Sequence, residues 1–236
     1  MKPKISIIVP AYNEEGNIKP LLDDLTNVMM EKNYEIVIVN DNSSDNTKGE
    51  AEKYSRTNAR IRVLNRNSRA KGMGFSLIDG SMNAKGEIIV WVMADMSDRS
   101  ETILRIIDKL DSGYDMVIGS RYMKGGSRGE LSIIKAMLSR GYTFLAGLVY
   151  GFNLHDITNA FRGFKKDVLN NIKLESEDFA ISPESAIKAY LQGFRIGEVP
   201  TDYFGRVSGS SNFKLINHGV KYIRLLKYGF KKKKKK

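Results

Sequence analysis

The chain contains no cysteine and only two histidines, His155 and His218. The lack of cysteine excludes a disulfide scaffold and thiolate metal sites, and it fits a reducing compartment. Two histidines are too few for a histidine-rich metal centre. Long apolar runs are also missing, since residues 143–152 fall far short of the roughly 18 to 20 residues of a spanning helix. The first residues lead into a strand-like segment without a signal core, so we expect neither export nor a membrane span.

Positive charge is concentrated at one end of the sequence. The formal net charge is +11, and residues 231–236 supply six positive charges, which leaves +5 elsewhere. This lysine tail is either an added solubility tag or a natural polybasic segment. Residues 215–230 combine apolar residues at helical spacing with basic ones, which predicts an amphipathic helix. Such a helix packs on the main domain, residues 1–214, or lies on an anionic membrane surface, and a helix that is only partly covered can do both.

Strand-like and helix-like segments alternate along the first half of the chain. The predicted strands are residues 5–9, 35–39, 61–64, 88–93 and 116–118, and the predicted helices are 18–30, 45–54, 74–83 and 101–110. We expect Pro10 to end the first strand. This βαβα order predicts an α/β fold with a mostly parallel central sheet and helices on both faces.

The second half is less regular. It contains predicted helices at residues 132–150 and 183–192 and short strands at 161–164 and 196–199. Two Gly- and Ser-rich loops that carry arginine, residues 125–129 and 205–212, come before and after these segments. They are either ordinary surface loops or a lid over an anionic ligand.

The most informative stretch is residues 90–98, where an apolar run ends in Asp95 and Asp98. The run is typical of a buried parallel strand, and ligands bind at the carboxyl edge of such sheets. Two carboxylates there can hold a divalent cation against a phosphorylated substrate. The alternative is a solvated turn in which Ser100 caps the next helix.

The first two predicted strands also end in polar residues, and a parallel sheet places these at the same edge as Asp95. Tyr12 can stack on a nucleobase, while Glu14 and Asp41 can accept hydrogen bonds from a base or ribose. The turn at Lys71 and Gly72 opens a helix, where it either faces a nucleotide or simply reverses the chain. The turn lacks the third glycine of the dinucleotide motif and is not a phosphate loop.

Several motifs occur in an order that resembles the family 2 glycosyltransferases of the GT-A fold. These are Val9-Pro10-Ala11-Tyr12-Asn13-Glu14, Asn40-Asp41-Asn42-Ser43-Ser44-Asp45-Asn46-Thr47, Lys71-Gly72-Met73-Gly74, Ala94-Asp95-Met96-Ser97-Asp98 and Gly119-Ser120-Arg121-Tyr122. Later segments, at residues 138–140, 156–164, 198–200 and 206–211, resemble the polyprenyl-phosphate (dolichol-phosphate) mannosyl- and glucosyltransferases. The resemblance implies that residues 1–214 form a GT-A catalytic domain.

The resemblance also implies a nucleoside-diphosphate sugar donor, with GDP-mannose favoured over UDP-glucose. The residues at nucleotide-binding positions are Pro10, Ala11, Tyr12, Glu14, Asp41, Lys71 and Gly72. Asp95 is implied to hold Mg²⁺ or Mn²⁺ on the diphosphate. The family motif commonly reads Asp-Ala-Asp-x-Gln, whereas this chain has Met93 and Ser97 at its first and last positions. Asp98 then offers the second carboxylate and Ser97 a weaker oxygen ligand. Asn40 replaces an aspartate present in many relatives.

The implied acceptor is polyprenyl or dolichyl phosphate. Three arginines match the family's acceptor-phosphate and lid positions, namely Arg121, Arg140 and Arg206. With Asp95, Arg121 is the implied catalytic residue. A lipid phosphate is already anionic and needs no general base, so cations suffice to position it. Each arginine is equally well explained by a surface or interdomain ion pair.

Two other functions compete with transfer to a lipid phosphate. A glycan hydroxyl acceptor requires a base, for which Glu184 is the best candidate unless it only serves the first turn of its helix. A nucleic-acid-binding module is disfavoured because the excess charge is terminal and no such motif occurs. The resulting expectation is an inverting enzyme, peripheral on the cytoplasmic face of a membrane, which it contacts through the terminal helix or a membrane-protein partner.

Overall fold

The structure is a computed structural model that describes residues 2–68, 70–205 and 219–227. Its strands are β1 Ile5–Ala11, β2 Tyr34–Asn40, β3 Ile61–Asn65, β4 Ile88–Trp91, β5 Met116–Ser120, β6 Arg162–Lys165 and β7 Ile196–Pro200. The helices are α1 Glu15–Val28, α2 Thr47–Thr57, α3 Met73–Met82, α4 Thr102–Asp111, α5 Ile133–Tyr150, α6 Lys166–Asn171 and α7 Ile181–Leu191. Residues 219–227 form a further helix, α8.

The seven strands form one sheet in the order β3-β2-β1-β4-β6-β5-β7. Neighbouring strands are parallel except at β6, which runs antiparallel to both β4 and β5. The prediction of a mostly parallel α/β sheet is therefore confirmed. The reversed direction of β6 was not predicted, because a strand of four residues has no sequence signal for its direction.

Helices cover both faces of the sheet because successive strand residues point to opposite sides. On β1, Ile7 and Val9 pack in the core that also holds the apolar residues of α1 and α4. Ile8, between them, packs in a second core with residues of α3, α5 and α7. Both cores are closed to solvent, so the sheet is a rigid platform whose edges remain available for binding.

Strand β1 does not stop at Pro10, as the sequence predicted, but continues to Ala11. Proline has no N–H group to donate to a neighbouring strand. The pairing of β1 with β4 ends at Ile8 and Trp91, before Pro10, so no residue of β4 lacks a hydrogen bond because of the proline. On the other side, Ala11 still accepts a hydrogen bond from the Asp41 N–H (2.9 Å). Proline is tolerated because the ladder to β4 is already finished.

Several predicted element boundaries also differ from the structure. Helix α1 begins at Glu15, three residues before the predicted start, and α6 was not predicted at all. Ser100 does not cap α4 with its side chain, because its hydroxyl bonds to the Asp24 carboxylate. The helix predicted over residues 215–230 is confirmed for 219–227, and its other residues lie outside the described ranges.

Gly80 allows α3 to pack closely on the sheet. A Cβ there would lie 2.4 Å from Ile8 Cγ2 and 2.8 Å from Val39 Cγ2, so a larger residue must push the helix away. We expect Gly80→Val to lower the free energy of unfolding by about 1 to 3 kcal/mol through overpacking. Met82→Val on the same helix is the control, since Met82 is 78% exposed. Equal urea midpoints for the two variants would contradict this packing.

Candidate active site

Polar residues from three neighbouring strands meet at one edge of the sheet. Strands β1, β2 and β4 are parallel, so their carboxyl ends share that edge. Asp41 directly follows β2, and Asp95 lies just beyond β4. Both residues line a cavity of about 1140 Å³. The sequence-predicted residues in its wall are Pro10, Ala11, Tyr12, Glu14, Asp41, Lys71, Gly72, Asp95, Ser97, Asp98 and Arg121.

A left-handed residue follows each of these three strands. Asn13 (φ 56°), Asn42 (φ 53°) and Met96 (φ 56°) are the described non-glycine residues with positive φ. Asparagine adopts this conformation readily, whereas for methionine it costs roughly 1 to 2 kcal/mol. The turn at Met96 brings the Ser97 N–H to the Asp95 carboxylate (3.2 Å). Backbone strain is thus stored at the edge where the acidic residues converge.

Asp41 organises the turn that opens α3. Its carboxylate is buried, pairs with the Arg66 guanidinium and accepts the Gly72 N–H (2.7 Å). The Gly74 N–H donates to the Glu177 carbonyl (2.8 Å), and a Cβ on Gly72 would lie 2.2 Å from that oxygen. The glycines therefore serve a tight turn, and its two amide groups are already bonded. Arg66 was not singled out from the sequence, because an arginine after a strand has no distinctive pattern.

Tyr12 and Lys71 meet at the outer side of the same region. The Lys71 ammonium lies 4.7 Å from the centre of the Tyr12 ring and donates to the Asn42 carbonyl (3.0 Å). Tyr12 is 37% exposed, so it offers an aromatic surface at the cavity wall. Glu14 is more buried and accepts a hydrogen bond from Asn17 (2.6 Å). The wall thus combines an aromatic ring, a cation and a carboxylate within one short stretch of surface.

Negative charge accumulates where β4 ends. Burial raises the pKa of Asp98 to about 7, and the nearby carboxylates of Asp95 and Asp156 act in the same direction. The hydrogen bond from Asn159 (3.0 Å) and the charge of Arg121 oppose this shift. The ordinary aspartate pKa is near 4, so burial and the neighbouring carboxylates together outweigh the positive charge of Arg121 at Asp98.

The residues at this point fit a hard divalent cation. Asp95, Asp98 and the Ser97 hydroxyl all offer oxygen, the donor type that Mg²⁺ and Mn²⁺ prefer. A divalent cation would also offset the excess negative charge around Asp98. Within residues 2–68, 70–205 and 219–227 no group of three or more acidic or histidine side chains is arranged to hold a metal alone. Two carboxylates are nevertheless sufficient for a cation that takes its remaining ligands from a diphosphate and water.

Arg121 is held rigidly in the cavity wall by Asp156. Its Nε and Nη2 donate to the two carboxylate oxygens (2.7 and 2.9 Å), and Nη2 also reaches the Thr158 hydroxyl (2.9 Å). Burial lowers the pKa of Arg121, but Asp156 more than compensates, so the net shift is upward. Nη1 makes no hydrogen bond to any described residue. The guanidinium is therefore a fixed, permanently charged donor with one nitrogen still available.

Glu198 on β7 supports this arrangement from behind. Its carboxylate accepts the backbone N–H groups of His155 (2.9 Å) and Asp156 (2.9 Å), and it also contacts His155 Nδ1 (2.7 Å). The segment that carries Asp156 and Asn159 is thereby fixed to the sheet. The sequence alone gave no role to Asp156, Asn159 or Glu198. The polar residues from 155 to 159, which lie between apolar segments, are the signal that could have drawn attention to this segment.

Two other predicted residues, Arg140 and Glu184, do not lie in the cavity wall. Arg140 is exposed and stacks 5.7 Å from the Tyr122 ring centre. Glu184 is 2% exposed, accepts the N–H groups of Glu175 and Ser176, and pairs with Lys188 (2.6 Å). Its carboxylate is thus engaged in holding a loop rather than facing the cavity. Arg206 and the rest of the predicted second loop from residue 206 onward lie outside the described residues.

The cavity continues from the acidic cluster to the surface of α5 and α8. This apolar limb is lined by Leu131, Met137, Leu138, Tyr142, Leu145, Phe179, Val220, Tyr222, Ile223 and Leu226. Helix α8 is attached to α5 by hydroxyl groups, since Tyr142 donates to the Tyr222 carbonyl (3.2 Å) and Tyr150 to that of Leu225. Of the two fates predicted for the terminal helix, packing on the domain is thus observed. No helix in the described part of the chain is long and apolar enough to span a bilayer.

Known proteins resemble this chain in both sequence and fold. Dolichol-phosphate mannosyltransferase of Pyrococcus furiosus is 32% identical over 89% of this chain, which spans only 59% of that relative's length. Polyprenol monophosphomannose synthase of Mycolicibacterium smegmatis is 27% identical over 95% of this chain and 86% of that protein. Glucosyl-3-phosphoglycerate synthase of Mycobacterium tuberculosis, solved with Mn²⁺, UDP and phosphoglyceric acid, shares the fold. It aligns with a TM-score of 0.72 at 17% identity, over 95% of this chain and 76% of that one.

The match to a protein family covers most of the described domain. Residues 6–173 match the family described as glycosyl transferase family 2. The matched region includes the ends of β1, β2 and β4, with the acidic cluster, and Arg121 with its partner Asp156. The chain belongs to glycosyltransferase family 2.

Proposed function

We propose that this chain transfers a hexose from a nucleoside-diphosphate sugar to a polyprenyl phosphate, in a metal-dependent reaction that inverts the anomeric centre. The observation that carries the proposal is the continuity of the cavity. One end holds Asp95 and Asp98 beside Arg121, and the other end is the apolar limb formed by α5 and α8. A diphosphate and a lipid phosphate require such a combination of charged and apolar walls in one site.

The donor end binds the nucleotide and accommodates its charge. Tyr12 offers a stacking surface for the base, and Asp41 keeps the neighbouring turn in place. Asp95 and Asp98, with the Ser97 hydroxyl, would hold Mg²⁺ or Mn²⁺, which when bound neutralises the charge that develops on the leaving diphosphate. The sugar is proposed to be mannose, because two relatives are named for mannose transfer to polyprenol phosphates. GDP-mannose is accordingly the first donor to test and UDP-glucose the second.

The acceptor end needs a cation and no base. A phosphate monoester is anionic at neutral pH, so its oxygen attacks the anomeric carbon without losing a proton. Arg121 fits the task because Asp156 fixes it while Nη1 remains available for a phosphate oxygen. Glu184, the candidate base for a hydroxyl acceptor, is occupied by the loop at residues 175 and 176. These contacts favour a phosphate acceptor over a glycan hydroxyl.

The outer surface of α5 fits a lipid bilayer. Its large apolar side chains that are at least half exposed are Ile133, Ile134, Met137, Leu138, Phe144, Leu145 and Leu148. On α8, Val220 (51%) and Ile223 (55%) extend the same apolar character. An exposed patch of this kind marks a protein or membrane contact, and the basic residues Lys135 and Arg224 suit anionic lipids. We propose that α5 and α8 together rest on the membrane that supplies the acceptor, which puts the enzyme at the cytoplasmic membrane surface.

Transfer activity tests the metal-binding acids. With labelled GDP-mannose or UDP-glucose, polyprenyl phosphate and Mn²⁺, the wild type should move label into the organic phase. Asp95→Asn should reduce the rate by on the order of 100-fold or more, because even outer-shell changes at metal sites cost 10- to 100-fold. EDTA should have the same effect on the wild type. Asp111→Asn is the control, since Asp111 forms an exposed pair with Lys4. Full activity of Asp95→Asn would refute the assigned role.

Glu184→Gln distinguishes the two acceptor classes. If Glu184 only fixes the loop, the variant should lose roughly 1 to 3 kcal/mol of stability and retain most of its kcat. If it is the base for a hydroxyl acceptor, kcat should fall by about 100- to 10,000-fold. Lys188→Met is the matched control, because it removes the partner of the buried ion pair without altering the carboxylate. A kcat loss in Glu184→Gln alone would favour the glycan acceptor.

Vesicle sedimentation tests the membrane contact. We expect the wild type to bind phosphatidylcholine vesicles more tightly when they contain anionic phosphatidylglycerol. The double variant Ile134→Glu, Phe144→Glu should bind on the order of tenfold or more weakly, because two exposed apolar groups no longer enter the interface. Met82→Glu is the control, since Met82 is exposed on α3, outside the apolar surface of α5 and α8. Unchanged binding of the double variant would exclude α5 as the contact.

A further inference from the structure

The apolar limb contains a glycine in the middle of a helix. Gly141 lies in the interior of α5, where glycine is less favourable than alanine by roughly 0.5 to 1 kcal/mol. Such a residue is usually explained by close packing. Gly80 and Gly147 are of that kind, because a Cβ would lie 2.4 Å from Ile8 Cγ2 and 2.9 Å from the Phe152 carbonyl. At Gly141 a Cβ would meet no atom of the described residues within 4 Å.

The space beside Gly141 belongs to the cavity. Gly141 lines the cavity wall, and so does Gly219, the first described residue of α8. A Cβ at Gly219 would likewise meet nothing within 4 Å in the part of the chain that the structure describes. Each of the two helices therefore contributes one position without a side chain to the same limb. Close packing therefore does not explain why glycine occurs at these two positions. A ligand that occupies the space beside them would explain it.

This open volume is connected to the proposed reaction centre. Tyr122, the neighbour of Arg121, hydrogen-bonds to the Ser139 hydroxyl, two residues before Gly141 on α5. Ser139 and Arg121 line the same cavity as the two glycines. Most side chains of this cavity wall are apolar, including Met137, Leu145 and Ile223, and Lys135 and Asp178 are its charged members along α5 and α8. A phosphate placed at Arg121 would thus have a mainly apolar passage beside it that leads along α5.

We infer that Gly141 and Gly219 keep open the passage for the hydrocarbon chain of the acceptor, and so determine which lipid phosphates the enzyme accepts. The inference rests on the proposed transfer to a polyprenyl phosphate. A branched isoprenoid chain is wide, and side chains at either position would narrow the passage between the helices. The glycines cost helix stability, and the access of the chain offsets that cost.

The test uses the full chain with Gly141→Ala, Gly141→Phe and, as control, Met82→Phe on the exposed surface of α3. The KM and kcat for transfer to a ten-carbon and a fifty-five-carbon polyprenyl phosphate are measured, together with direct binding of the longer lipid by fluorescence quenching. The Kd for the nucleotide sugar and the melting temperature are recorded for each variant. Gly141→Ala keeps the inference testable if Gly141→Phe fails to fold, because alanine is more favourable than glycine in a helix.

If the inference is correct, Gly141→Ala raises the melting temperature and yet weakens binding of the long lipid. Gly141→Phe should raise the KM for the long acceptor about tenfold or more, the usual scale for a changed fit in an apolar pocket, with the nucleotide-sugar Kd unchanged. If both Gly141 variants bind the long lipid as tightly as the wild type and the control do, the inference about the glycines is wrong, while the proposed transfer reaction is unaffected. A wild type that transfers to neither lipid would overturn the proposed function, and the acceptor passage with it.

Discussion

The parallel pairing of β1, β2 and β4 is the constraint on which the site depends. Parallel strands end at a common edge, so residues far apart in the sequence reach one place without any long loop. Each strand is then turned by one residue with positive φ, at Asn13, Asn42 and Met96. The sheet determines the positions of the strand ends, and these turns determine the directions of the side chains that follow them. The methionine is the strained member of the set, and it lies between the two acidic residues proposed to hold the metal.

Charge balance is the second organising factor. Asp95, Asp98 and Asp156 lie within reach of one another, and Arg121 is the cation that acts on Asp98. Burial raises the pKa of Asp98, and the charge of Arg121, which donates two hydrogen bonds to Asp156, only partly opposes that shift. On the proposed function, this excess of acid would repel a diphosphate unless a divalent cation were bound, so cation and donor are expected to bind together. The ion pair of Arg121 with Asp156 would then link the position of the proposed acceptor phosphate to the charge around Asp98.

Much of the fold could be predicted from the sequence, because alternating apolar runs and helical periodicity are local signals. The convergence of Tyr12, Asp41 and Asp95 followed from the same logic, since parallel strands share an edge. What could not be predicted depends on contacts between distant segments. The support of Asp156 by Glu198 joins residues 42 positions apart. Both lie in segments that carry the family resemblance, but no local pattern shows that the two side chains meet. Burial of Glu184 is equally invisible, because a glutamate near the start of a helix is usually solvated.

The attachment of α8 has a consequence for substitutions on its exposed surface. Tyr142 and Tyr150 hold the helix through the main-chain oxygens of Tyr222 and Leu225, which every amino acid possesses. Val220 and Ile223, the exposed apolar residues of α8, take no part in these two hydrogen bonds. Other side chains at these two positions would therefore leave the main-chain attachment of α8 intact.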